Sequence, residues 1–185
     1  LSEARDGVPT GFDDSRVGDS NSNGRIERTI REVKGLIRTL RSDLQAKIQA
    51  PISLESKVVP WIVRHAGYII TRCKVHACGK TSMHRMKGQK THRPMIPSGE
   101  EVLFKIPKTK RRLGDFEDRF EKGLWLGMTI QSGENIVATD DGVYRVGGVI
   151  RCALDQRWSA DMVNKIVGTP SQPKPGSETD KIPTF

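Results

Sequence analysis

Glu27 stands at the head of a row of cations. Arg31, Lys34, Arg38 and Arg41 follow it at spacings of four, three, four and three. On a helix all five would line one strip of surface. A carboxylate in the first turn of a helix sits in the favourable field of the helix dipole, and Arg31 one turn on can pair with it. That pairing leaves Lys34, Arg38 and Arg41 without a local purpose. A line of cations can instead grip a polyanion, by neutralising its phosphates and releasing their counterions. A second cluster, Cys73, His76 and Cys78 in "CKVHAC", carries metal-binding side chains, with His65 or His84 as conceivable further ligands. Its spacing matches no familiar zinc pattern, so these residues are read as packing or coincidence.

The distribution of charge favours the polyanion. The chain carries a net charge of +9 over 185 residues, and the excess sits in one segment. Residues 1–21 hold two basic and five acidic side chains, whereas residues 22–95 hold sixteen basic and four acidic. Residues 96–158 hold ten of each and residues 159–185 three of each. A solvated basic face with no partner is the bland alternative, and it does not account for so uneven a loading. The length suits one ordinary domain or two small ones. No apolar run is long enough to cross a bilayer, and "LSEARDGVPTGFDD" is too polar for a signal or transit peptide. Three cysteines, Cys73, Cys78 and Cys152, cannot all pair with one another, which fits a reducing compartment. A chain that opens on Leu1 is expected to be a piece of a longer protein.

The elements that must carry these residues follow from periodicity. Asn23-Gly24 signals a turn, and Ser22 or Asn23 can cap a helix starting near Arg25. Ile26, Ile30, Val33, Ile37, Leu40 and Leu44 give its apolar stripe, and Pro51 stops it after Ala50. Gly35 within it costs about 1 kcal/mol relative to Ala, which suggests close packing or a close backbone approach. Ser53 or Ser56 opens a second helix, with Pro60 in its first turn. Ile62, Ala66, Ile69 and Cys73 form its buried side, Trp61 and Tyr68 are core aromatics, and Arg64, Arg72 and Lys74 extend the positive surface. A third helix runs from Thr81 or Ser82 to Lys87 and ends at Gly88. Strands are predicted over residues 101–106, 124–130, 135–139, 143–146 and 148–154, with Asp140-Asp141-Gly142 as a hairpin turn. Short strands with tight turns suggest a small barrel. The insert "PKTKRRLGDFEDRFEKG" presents Lys108, Lys110, Arg111 and Arg112 as an exposed basic loop before an acidic stretch. From Ser159 a last helical turn gives way to a Pro-, Gly- and Ser-rich tail without fixed structure.

In "NSNGRIERTIREVKGLIRTL", Asn23, Gly24, Ile26, Glu27 and Arg28 fit the pattern around the last catalytic acid of copia-type retrotransposon integrases. "PWIVRHAGYIITRCKVHACGKTSMHRMKG" resembles the stretch that follows the integrase core in those polyproteins. "EVLFKIPKTKRR" and "KGLWLGMTIQSGENIVATDDGVYRVGGVIR" are similar to the SH3-like barrel beyond it. The resemblance covers residues 8–170 and rests on the order and spacing of its motifs. It implies a ribonuclease H-like core in which two aspartates and a glutamate hold two magnesium ions for phosphodiester attack by water and then by a DNA 3′ hydroxyl. It assigns the glutamate, as catalytic residue and metal ligand, to Glu27. Both aspartates are then expected before residue 1. Asp6, Asp13, Asp14 and Asp19 lie outside any strand pattern.

The expectation is an α+β chain: the helical C-terminal remnant of a ribonuclease H-like core over residues 1–52, a helical connector over 53–95, an SH3-like β-barrel over 96–158 and a flexible tail over 159–185. DNA, at element ends and targets, is the expected partner, contacted by Arg28, Arg31, Lys34, Arg38, Arg41, Lys108, Lys110, Arg111 and Arg112. Self-association is a further expected contact; neither a membrane nor a small-molecule substrate is. The intact parent would use magnesium and act in the nucleus, whereas this fragment alone would bind the ion weakly and be inactive. The competing classes are a non-catalytic nucleic-acid-binding module and a protein–protein adaptor.

Overall fold

Helix α1 runs from Gly24 to Ile48, close to the span its periodicity predicts. The computed structural model describes residues 24–90, 94–107 and 116–175, so the capping residues Ser22 and Asn23 lie outside the described residues. Contacts divide the chain within this helix into two compact units, Leu1–Gly35 and Leu36–Phe185. In the second unit Ile37, Leu40, Leu44 and Ile48 pack into a core. In the first, Ile26 and Ile30 of the same stripe are exposed. Gly35 differs from expectation: a Cβ built there meets nothing within 4 Å. No close approach requires the glycine. Gly35→Ala is therefore expected to raise stability by about 0.5–1 kcal/mol, seen as a higher urea midpoint, because alanine restricts the unfolded chain.

Helix α2, Val58–Cys73, follows a loop clamped to α1. Gln45 Oε1 accepts the Ile52 amide at 3.0 Å, and the Arg41 guanidinium donates to the Ile52 carbonyl, from Nε at 3.1 Å and also from Nη2. Pro60 falls in the first turn of α2, where a missing N–H costs nothing. Ile62 and Ala66 are buried as predicted, as are Trp61 and Tyr68. Cys73 is exposed instead, because the helix ends there and the chain turns away at Lys74. Helix α3, Ser82–Lys87, has the predicted ends: Thr81 accepts the His84 amide, and Gly88 closes the helix in the left-handed region.

Five strands follow: β1 (Glu101–Lys105), β2 (Phe120–Met128), β3 (Asn135–Ala138), β4 (Val143–Val146) and β5 (Val149–Arg151). They form one antiparallel sheet in the order β4-β3-β2-β1-β5. The chain is thus α+β. The Asp140–Gly142 hairpin between β3 and β4 is as predicted, with the Thr139 amide donating to Gly142 O at 2.8 Å. Strand β2 starts at Phe120, inside the segment expected to be a loop.

From Gly123 to Met128 both faces of β2 are buried, which is why that part of its sequence is a continuous apolar run. Leu124 and Leu126 point into a core with Leu44, Ile52, Trp61 and Ile62. Trp125 and Met128 point into a second core with Phe104, Val137, Tyr68 and Met83. Leu44 of α1, Trp61 and Ile62 of α2 and Leu124 of β2 thus share one core. Helix α4, Ala160–Lys165, is capped by Ser159, and its Val163 and the following Ile166 join the first core. The chain beyond, expected to lack fixed structure, is held as far as Gly168 and Pro173. Gly168 O accepts the Trp61 indole N–H at 3.1 Å, and Pro173 O accepts the Val143 amide at 3.0 Å. Among the described residues no helix is long and apolar enough to cross a membrane.

Two polar groups are sealed into this framework. Glu100 is fully buried at the start of β1, and its two carboxylate oxygens take Arg151 Nε at 2.6 Å and Nη2 at 2.7 Å. Arg157 Nε lies 3.6 Å from Oε1 and donates to Cys152 O at 2.9 Å. One carboxylate thus ties β1 to β5 and to the turn after it. His65 of α2 lies against the edge of Trp125, opposite the bulge in β2 where Gly127 has φ 144°. A Cβ at Gly127 would come within 3.1 Å of His65 Nδ1, which has no hydrogen-bond partner among the described residues. Burial, with help from the neighbouring Arg64 charge, pulls the imidazole down to about 4.

Candidate nucleic-acid interface

Helix α1 presents charge because its apolar stripe occupies one side only. At 3.6 residues per turn, Glu27, Arg31 and Lys34 share one side of the helix within the first unit, and Arg38 and Arg41 share one side within the second. Glu27, Arg28, Arg31, Lys34 and Arg38 are exposed. Within the first unit the helix rises about 9 Å from Arg28 to Lys34, enough to reach neighbouring phosphates of a nucleic-acid strand. Arg41 sits beside the apolar stripe. It is half-buried, and its donors hold the Ile52 carbonyl. Its place is in the α1–α2 clamp, a role that needed a partner eleven residues away to become visible.

The other expected contacts divide in the same way. Lys108, Lys110, Arg111 and Arg112 lie outside the described residues. Arg64 sits with its guanidinium 5.9 Å from the Trp61 ring centre, and burial beside Arg145 lowers its pKa. Arg72 donates to the Tyr68 hydroxyl at 3.2 Å. Lys87, a cation outside that expectation, reaches Gln131 O with its Nζ at 2.8 Å and ties α3 to the β2–β3 turn. Each of these three cations is at least partly engaged with its own fold.

Sequence reasoning missed a second positive site. Val75 bridges to Thr81 across a tight turn in which the His76 amide donates to Lys80 O at 3.0 Å and the Gly79 amide to His76 O at 2.8 Å. Beside α3 this turn leaves an open basin lined by His76, Cys78, Lys80, His84, Arg85 and Gly88. A usable signal was present: residues 56–99 contain nine Lys or Arg, all four histidines and no Asp or Glu.

No family model, curated protein or solved structure matches this chain. What the interface can bind is set by its own side chains.

Magnesium takes octahedral oxygen coordination, commonly with carboxylates from more than one element. Glu27 supplies one exposed carboxylate, and no group of three His, Cys, Asp or Glu side chains could hold a metal among the described residues. Cys73 and Cys78 are exposed free thiols and Cys152 is a buried one.

Proposed function

We propose that this chain binds DNA through α1 and is the C-terminal part of a copia-type integrase, with DNA integration in the nucleus as the work of the intact parent. The observation that carries the binding is the placement of charge. The segment holding the whole positive excess contains α1, and Arg28, Arg31, Lys34 and Arg38 are exposed on it. Phosphate contacts of this kind position a protein without reading bases, which suits insertion at many sites. The strand order, a meander with β5 returning to pair with β1, supports an SH3-like barrel as the finer description of the sheet. In this reading Glu27 is the one acid the chain contributes to a catalytic centre. The chain alone is non-catalytic.

The test is duplex DNA binding measured against salt. Arg31→Ala, Lys34→Ala and Arg38→Ala together should lower the slope of log K against log salt by about 2–3, near 0.9 for each phosphate no longer neutralised. Glu27→Gln should not weaken binding, since it removes a negative charge. Equal losses from both changes, or no duplex binding by the parent chain at low salt, would refute the proposal.

A further inference from the structure

We infer that the basin between the Val75–Thr81 turn and α3 seats a phosphodiester group of duplex DNA, as a contact additional to α1. It rests on geometry that α1 does not share. The Val75–Thr81 bridge and the His76–Lys80 backbone bond fix Lys80 at one rim, and Gly79 at φ 71° makes the turn possible. The Arg85 amide donates to Thr81 O at 3.0 Å, which fixes the backbone of Arg85 in the last turn of α3. The same basin is lined by His76, held by Ser82 Oγ at 2.8 Å, and by His84, whose amide is capped by Thr81 Oγ1 at 3.1 Å. The rims are therefore set before any ligand arrives, which lowers the ordering cost of binding.

Charge selects the ligand. Among the described residues no carboxylate lines the basin, and the sequence has none between Ser56 and Gly99. Lys80 and Arg85 are exposed at its edge. Lysine supplies a point charge and arginine a planar fork, a pair that suits phosphate oxygens. Among the described residues the lining has no Phe, Tyr or Trp ring, so bases have little to stack on, which favours a duplex over a single strand. It also lacks the buried apolar anchor that a protein partner ordinarily needs.

The experiment uses the full chain, a duplex of mixed sequence and a salt titration. Lys80→Ala with Arg85→Ala should lower the salt slope by about 1–2 and weaken binding about tenfold at low salt, with no change in Tm. Lys80→Arg with Arg85→Lys should keep the slope. The Arg31/Lys34/Arg38 variant is run in parallel. If it binds like the parent chain while the Lys80/Arg85 variant does not, the α1 reading fails and the basin stands. An unchanged slope in the Lys80/Arg85 variant overturns the inference whatever α1 does, as does a lack of duplex binding at low salt. Polyglutamate competing as well as duplex at equal charge would assign the surface to an acidic protein and also overturn it.

Discussion

Arg151→Met is expected to cost about 3 kcal/mol of folding stability, more than Arg151→Met combined with Glu100→Gln. The reason is the asymmetry of the pair. Glu100 is sealed in the fold, whereas the Arg151 side chain keeps 43% of its surface in water. Taking away the arginine strands a charge that cannot reach solvent, with Arg157 3.6 Å away as its remaining cation among the described residues. Neutralising the carboxylate at the same time removes that charge and restores most of the loss. Exposed ion pairs are worth about 1 kcal/mol or less, so a deficit of that size in the single variant would show that Glu100 is solvated in the protein. Urea midpoints of the four members of the cycle decide it. The same variants report on β5, because Val102, Leu103 and Phe104 of β1 are its strand partners and Glu100 is its side-chain tie.

Acid should destabilise the protein through His65. An unfolded imidazole takes a proton near pH 6.5, whereas the folded one resists until about 4. Between those values the unfolded chain binds more protons, so stability falls as pH falls; above the upper value both states are neutral and the contribution is flat. Each pH unit in that window is worth about 1.4 kcal/mol, so about 3 kcal/mol is lost by pH 4. His65→Leu keeps an apolar side chain against Trp125 and Tyr68 and removes the titration. Its urea midpoint should therefore fall much less between about pH 7 and pH 4.5 than that of the parent chain. Parallel losses in the two proteins would place the acid sensitivity elsewhere.

The elements that could be read from the chain are those whose ends are written in local chemistry. Thr81 and Gly88 bracket α3 because a hydroxyl cap and a left-handed glycine act within a few residues of themselves. The Asp140–Gly142 turn and the apolar stripe of α1 are local in the same sense. The elements that were misread depend on distant partners. Arg41 belongs by spacing to the cation row, and only the Ile52 carbonyl shows where its donors go. Glu100 precedes the predicted strand with nothing local to mark it, because its partner lies 51 residues away. The segment around Gly168 and Pro173 has the composition of a linker, and nothing in composition shows that its carbonyls meet Trp61 and Val143. His65 was legible in part. It stands three residues after Ile62 and one before Ala66, on the buried side of α2, where an imidazole is bound to lose its proton early.

The bond from the Val143 amide to Pro173 O has a bearing on how copies of this protein behave at high concentration. Strand β4 is the outermost strand on its side of the sheet, and such a strand offers unpaired amides on which another molecule can add a strand of its own. The returning chain occupies one of those amides and lays a proline alongside, where a regular ladder cannot grow. Its contribution is to colloidal behaviour: it shields one rim of the sheet from runaway intermolecular pairing.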